Sequence, residues 1–389
     1  MAKHHNLKQT KTRVELRGLL TKTFEDGNAW LTERQTQSGK DQATARIAVK
    51  TAPNNVVYGI ELTGYTSDKV FYTQTVNEEK QKIEVEWPNR YDKKLLKAAG
   101  VLEDATLFFA KTIGTEREKY IDEKDGNIEK ERTITKRLTA YDTVQELKTA
   151  REKGLIGDGT PVYVRGQVQI DSWVKDNKLN KFVKLIPDCV TVTNPIDLES
   201  LDEEQISQAS QFRMEIVIKE FNEVEGETYF TGILVGYDFI DEMEFKIEDP
   251  EIVNYFKAEF QPHIKKGIYP MIECVGYIKK DFKEENIEEV ASSGGIGKTA
   301  KYDKKRTGSA KTVWLIEGAF PSTIDVETYT AETVAKAKEE LAAYANDYKA
   351  GREAIVEETS PTAPASLGKT AAYNNSMDDF KSDDDDWDF

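Results

Sequence analysis

Twice along this chain, three runs of alternating apolar and polar residues are followed by a helical signal and then by two further alternating runs. Alternation has a period of two, so one face of each run can enter a core while the other stays in water. In the first set, Val14, Leu16, Gly18 and Leu20 share a face, with Arg13, Glu15 and Arg17 opposite. Ala45, Ile47 and Val49 alternate with Thr44, Arg46 and Lys50; Tyr58, Ile60 and Leu62 alternate with Glu61, Thr63 and Tyr65. Thr143-Val-Gln-Glu146 has capping-box spacing and opens a helix that stops near Gly154. Val162, Val164, Gly166, Val168 and Ile170 then point inward, and Lys181–Val192 closes the set. The second set reads Arg213–Phe221, Glu227–Tyr237 and Asp241–Ile247, a helix opened by Asp249-Pro250 with Ile252, Phe256 and Phe260 on one stripe, then Ile268–Lys280 and Lys311–Phe320.

Three strands, a capped helix and two strands is the order of the OB-fold, a five-stranded, partly open Greek-key barrel. The expectation is therefore a mainly β chain with two OB-fold-like Greek-key barrels in tandem, a C-terminal helix and a disordered acidic tail. The expected boundaries are a flexible N-terminus (1–9), a first OB-like domain (10–195), a linker (196–211), a second OB-like domain (212–325), a helix (330–349) and the tail (350–389). Residues 66–140 exceed what a minimal barrel needs. They read as an insertion carrying a hairpin, Val70–Val76 with Lys82–Trp87, and a short helix near Tyr91–Ala99.

Charge and composition narrow the function. The two cysteines, Cys189 and Cys274, lie in separate apolar strands and read as small buried hydrophobes. Three histidines leave little for zinc or His-based nucleophilic catalysis, so no cofactor, metal or enzymatic activity is expected. Absence of a long apolar run or an apolar leader points to the cytoplasm. Of the net charge of −16, residues 376–389 hold −6, which leaves an acidic body at −10. Any nucleic-acid site must then be a local basic groove.

The outward parity of the first barrel gathers Arg13, Arg17, Arg46, Lys50, Tyr65, Tyr163, Arg165, Trp173, Phe182 and Lys184. Cations can track phosphates while aromatic faces stack bases, which is the chemistry of single-strand binding. In the second barrel Tyr269, Met271, Tyr277 and Lys279 share one parity. The loop before its last strand is basic and aromatic, with Lys298, Lys301, Tyr302, Lys304, Lys305 and Arg306. Ser292-Ser-Gly-Gly-Ile-Gly-Lys298-Thr299 nearly matches a phosphate-binding P-loop, but Ser292 stands where Gly is required and no buried strand precedes it.

The chain ends Asp383-Asp384-Asp385-Asp386-Trp387-Asp388-Phe389 after a Pro- and Ser-containing linker. Aromatics among acids, one bearing the terminal carboxylate, suit a basic-rimmed apolar pocket on a partner. This end resembles the acidic tip of bacterial single-stranded DNA-binding proteins, and tandem OB-like barrels with such a tip resemble the phage-encoded type. The resemblance implies single-stranded DNA as one partner. It also implies docking of replication or repair proteins, whether helicase, polymerase or recombinase, on Asp383–Phe389. That family commonly has Pro before the terminal Phe, where Asp388 stands here. Two alternatives stay open: an acidic interaction or DNA-mimic protein without DNA affinity, and a metal-dependent nuclease. Oligomeric state is not legible.

Overall fold

The computed structural model describes residues 4–24, 29–122, 128–175, 178–224, 226–281 and 311–359. In the first half it places β1 (Thr12–Leu20), β2 (Leu31–Gln35), β3 (Asp41–Ala52), β4 (Asn55–Tyr65), β5 (Lys69–Val76) and β6 (Glu79–Glu86). Then come α1 (Lys93–Ala98), β7 (Thr106–Leu107), β8 (Lys111–Asp122), β9 (Ile128–Leu138), α2 (Ala140–Glu152), β10 (Pro161–Lys175) and β11 (Lys178–Val192). The second half contains α3 (Glu203–Gln208), β12 (Gln211–Val224), β13 (Glu227–Val235), β14 (Ile240–Ile247), α4 (Pro250–Ile264), β15 (Met271–Asp281), β16 (Lys311–Asp325) and α5 (Ala331–Thr359).

The fold is mainly β, and both halves close as OB barrels. In the first, β1 pairs antiparallel with β3 and β10, β3 with β4, and β10 with β11. A parallel contact between β4 and β11, Ile60 against Leu185, completes the ring. The second barrel repeats this with β12, β13, β14, β15 and β16, closed by the parallel pairing of Lys246 and Ile247 with Leu315 and Ile316. The barrels are fused edge to edge. β1 pairs antiparallel with β12, Thr12 against Met214 and Val14 against Phe212, within one 13-stranded sheet.

One helix plugs each barrel. On α4 the expected stripe delivers Phe256 and Phe260 to full burial, each worth about 1.5–3 kcal/mol. Asp249 caps its first turn as the sequence implies, accepting from Glu251 N–H at 2.7 Å. The cap of α2 lies four residues before the expected box. Thr139 Oγ1 accepts from Asp142 N–H at 3.2 Å, while Thr143 is an interior residue bonded back to Thr139 O. The segment Thr139-Ala-Tyr-Asp142 has the same spacing as Thr143…Glu146, and burial of Thr143, Val144 and Leu147 selects the earlier start. Gly64 allows the close approach, since a Cβ there would stand 2.0 Å from Tyr141 N.

Three segments depart from expectation. The N-terminus is packed from His4 onward: its ring stacks 3.8 Å from Tyr344, and buried His5 bonds Gly236 O at 2.8 Å. The connection between barrels holds α3, closed by a capping box from Asp202 and Gln205, and buries Leu198 and Ala209. α5 runs to Thr359 rather than 349, with Val334 and Ala337 buried against Val217, Ile233, Met271 and Tyr329 of the second barrel.

The insertion forms a small sheet, in the order β6-β5-β7, around its own core of Val70, Tyr72, Val85, Val101 and Leu107. Arg90 ties it to α2 through a bidentate pair with Asp142, at 2.8 and 2.7 Å, joined by Tyr91 at 2.7 Å. The sequence reading missed the β8–β9 ribbon, which adds to β11 in parallel, Cys189 against Thr112. Its strands are dominated by charge, so no apolar alternation announces them.

Candidate nucleic-acid interface

A cleft of about 400 Å³ lies between the barrels. Its first wall comes from β4 and β11, its second from β13, β14, β15 and β16. Buried Asn55 ties the walls together, its Nδ2 donating to Ile278 O at 2.8 Å. Its floor is apolar: Val14, Val57, Leu185, Met243, Ile278 and Trp314. Strands two and three of an OB barrel, with the loop between strands four and five, are where such barrels commonly take oligonucleotides. Here strands two and three of the second barrel, β13 and β14, face strand three of the first, β4, across one cleft.

Two aromatic rings stand open on the first wall, Tyr58 at 48% and Phe182 at 42% exposure. Tyr58 was expected inward with Ile60 and Leu62. Gly59 has a φ of +78°, and the β3–β4 register slips between Ile47 and Val49, so Val57 turns into the core and Tyr58 out. A glycine inside a strand pattern is the signal that could have located this bulge. The Phe182 ring covers Gly59, where a Cβ would lie 3.1 Å from it.

The cations around the cleft differ in what holds them. Lys181 pairs with Asp241 at 2.5 Å, Lys184 with Asp171 at 2.5 Å and Glu61 at 2.9 Å. Lys246 is almost fully buried between Glu227 at 2.6 Å and Glu248 at 2.9 Å. Lys311 pairs with Glu244 and lies 5.3 Å from the Tyr229 ring. Lys280 has no carboxylate partner among the described residues. Its Nζ donates to Thr312 Oγ1 at 2.5 Å and sits 5.6 Å from the Tyr58 ring. Burial therefore holds its pKa below the ordinary lysine value. Sequence parity hid Lys280 because it follows Ile278 on the inward face of β15, which opens into the cleft past the barrel rim.

Of the residues singled out from sequence, Phe182 and Lys184 line this cleft. Trp173 is exposed nearby on the β10–β11 hairpin, whose Ser172 and Lys181 contact Asp241 of the second barrel. A second group meets on the outer face of the joined sheet. Arg17 lies opposite Tyr163, its guanidinium 5.7 Å from the ring, and Arg165 lies opposite Glu15. Arg13 pairs with Glu15 at 2.6 Å and Arg165 with Asp188 at 2.9 Å. Burial, then Glu15, pushes the Tyr163 hydroxyl up to about 12. Tyr277 is on this sheet too, opposite Gln211 of β12.

The others are dispersed. Arg46 pairs with Glu61 at 2.7 Å on the β3–β4 face, which also carries Tyr65 and Lys50 near its two ends. Lys279 pairs with Glu248 at 2.7 Å. Tyr269 packs under α5 with Met271, which keeps its outward parity but is buried because α5 covers that face, while Ile272 and Cys274 enter the barrel core. Lys298, Lys301, Tyr302, Lys304, Lys305 and Arg306 lie outside the described residues, as do Asp383, Asp384, Asp385, Asp386, Trp387, Asp388 and Phe389. Cys189 and Cys274 are both buried and free. Among the described residues no group of three or more His, Cys, Asp or Glu is placed to hold a metal ion. No helix among them is long and apolar enough to cross a membrane.

The YorF family model matches residues 112–353, from the β8 strand to α5. The chain belongs to the YorF family. The matched span takes in the whole second barrel and β10 and β11 of the first, so this YorF chain carries most of its cleft inside the family region. No curated protein matches the YorF chain in sequence. Among solved structures, it is similar to the wild-type single-stranded DNA binding protein from Thermus aquaticus at 11% identity, covering 83% of this chain and 95% of that one, with a TM-score of 0.32. A deletion mutant of the same protein scores 0.33, at 11% identity, over 83% of this chain and 98% of that one. A Plasmodium falciparum SSB in complex with ssDNA is similar at 11% identity over 49% of this chain and 98% of that one, with a TM-score of 0.16.

Proposed function

We propose that this chain binds single-stranded DNA without sequence preference, holding the strand in the cleft between its barrels during replication, recombination or repair. The observation that carries the reading is the grouping of exposed Tyr58 and Phe182 with Lys280, a cation that no carboxylate of the described chain engages. Rings accept any base, and an ammonium beside Tyr58 that no described carboxylate engages suits a phosphate. In this proposal Lys181 and Lys311 exchange their carboxylates for phosphates, while the basic loop at 298–306 adds contacts. The tip at Asp383–Phe389 is proposed to dock replication or repair proteins.

Titration with oligo(dT) tests the reading. Tyrosine and tryptophan fluorescence should be quenched, single strands should bind more tightly than duplexes, and affinity should fall as salt rises. Absence of quenching at low salt would sink it. One observation favours the alternative, an acidic interaction or DNA-mimic protein: most cations of the two faces are already engaged by the chain's own carboxylates. That reading expects protein capture with no DNA affinity. Deleting residues 378–389 should abolish partner capture while leaving oligonucleotide affinity unchanged or raised.

A further inference from the structure

The small inserted sheet has a second face that its core does not use. Along β5, Val70 and Tyr72 point into the local core, so Phe71, Thr73 and Thr75 point away. Their partners on β6 are Glu84, Lys82 and Lys80. Lys82 Nζ lies 4.2 Å from the Phe71 ring and 5.7 Å from that of Phe108. Lys80 and Lys82 meet no carboxylate among the described residues, whereas Lys69 is paired with Glu84.

The neighbouring turn is costly and presents a ring. Ala110 N–H donates to Leu107 O at 3.2 Å, which puts Phe108 and Phe109 at the two central positions. Phe109 has a φ of +54°, where turns favour glycine and a bulky side chain is an outlier. Its ring is 44% exposed and lies 4.2 Å from that of Phe108. Strained backbone that holds a half-exposed ring at a surface is the kind of strain that collects at binding sites.

We infer that this face, Phe71, Phe108 and Phe109 with Lys80 and Lys82, is a second contact for a single-stranded nucleic acid. Bases stack on the exposed rings and phosphates meet the two lysines. The occupant is chosen by that combination: an apolar partner would leave the lysines unanswered, and a duplex would offer no free base faces. The inference rests on the proposal that the chain binds single strands and adds a surface outside the cleft, so that a long strand engages both.

The test uses the full chain with Phe109→Gly and, separately, Lys82→Glu, against oligo(dT) of about 8 nucleotides and of several times that length. Both variants should bind the short strand as the parent does and the long strand about tenfold more weakly. Phe109→Gly should also melt no lower than the parent, because the strain that glycine relieves at this positive φ offsets the loss of a half-exposed ring. Unchanged long-strand affinity in both variants would overturn the inference while leaving the cleft reading intact. A lowered melting point for Phe109→Gly with normal binding by Lys82→Glu would assign the turn a structural role and overturn it equally. A parent that binds neither length would remove the cleft reading as well. Capture of an acidic peptide by the parent, lost in Lys82→Glu while long-strand affinity holds, would replace the nucleic acid with a protein.

Discussion

Replacing Lys280 by methionine separates binding from stability, because the side chain keeps its length and loses only its charge. In the free protein Lys280 is a partly buried ammonium answered by one hydroxyl and one ring. Its folded-state pKa lies below the ordinary 10.5, so the folded chain holds this proton less tightly than the unfolded chain does. The resulting destabilisation is complete below the folded pKa and fades as pH rises toward the unfolded value. Lys280→Met should therefore raise the thermal midpoint at pH 7, with a gain that shrinks toward pH 10. Binding should move the other way. A charge-assisted contact to phosphate is worth about 2 kcal/mol, which corresponds to roughly thirtyfold in Kd. The slope of log K against log salt should also fall by about 0.7, the share of one phosphate on a single strand. Fluorescence anisotropy with labelled oligo(dT) at several salt concentrations reads both quantities, and calorimetry reads the midpoint. Unchanged affinity, or a variant that melts earlier than the parent, would refute the reasoning.

The stacking rings and the anchor of the insertion give two further expectations. Phe182→Ala should weaken oligo(dT) binding by about 1–3 kcal/mol with little loss in the salt slope, since it removes a ring and no charge; a reduced slope in the same titration would argue against stacking. Burial raises the pKa of Asp142, but bonds from Arg90, Thr139 and Tyr91 outweigh it and leave the carboxyl below its ordinary 3.8. Its contribution is then present above 3.8 and lost as pH falls through the lower folded value. Asp142→Asn should cost about 2 kcal/mol at neutral pH and expose the inserted sheet to limited proteolysis, with the difference from the parent vanishing in strong acid.

Both barrels were legible because burial in a closed barrel enforces period-two alternation, and each helix interrupting the strands carried its own stripe or cap. Phe256 and Phe260 needed no tertiary information to be placed. The errors fall where the backbone leaves that period or another element covers the outer face. Gly59 reverses the parity of Tyr58, while Met271 keeps its parity and is buried by α5, which alternation within one strand cannot show. The β8–β9 ribbon was invisible for another reason: beyond the buried Ile113 its strands are lined by cross-strand charge pairs such as Lys119 with Glu129 and Arg132 with Glu118, which leave no apolar alternation to read. The candidate cleft was legible only in part. Parity within one strand can nominate Phe182 and Lys184. It cannot show that Lys280, on the far barrel, comes to rest beside Tyr58, because that contact depends on how β1 and β12 fuse the two barrels.

Under the proposed function, an acidic chain has to present its groove to a polyanion, and the exposure of its ion pairs says which cations could answer a phosphate. The carboxylates that occupy Lys181 and Lys311 are not equivalent to those around Lys246. Lys246 keeps 5% of its side chain exposed between two glutamates, so it is fixed charge that stabilises the wall and reaches no ligand. Lys311 is 64% exposed and its partner Glu244 45%, so their pairing is worth no more than about 1 kcal/mol and a phosphate can displace it. The released glutamate returns to water at little cost. Lys181 is intermediate, with 33% exposure against 16% for Asp241, and its carboxylate would be left partly desolvated if a phosphate took its place. Displaceable pairs of this kind add little net affinity, because each new contact replaces an old one. Lys280 breaks no ion pair when a phosphate arrives, and part of its desolvation cost is already met in the free protein. In the proposed complex the net attraction of the cleft is therefore concentrated on Lys280 and on the exposed rings of Tyr58 and Phe182, and the negative charge of the body would act against strands that cannot reach them.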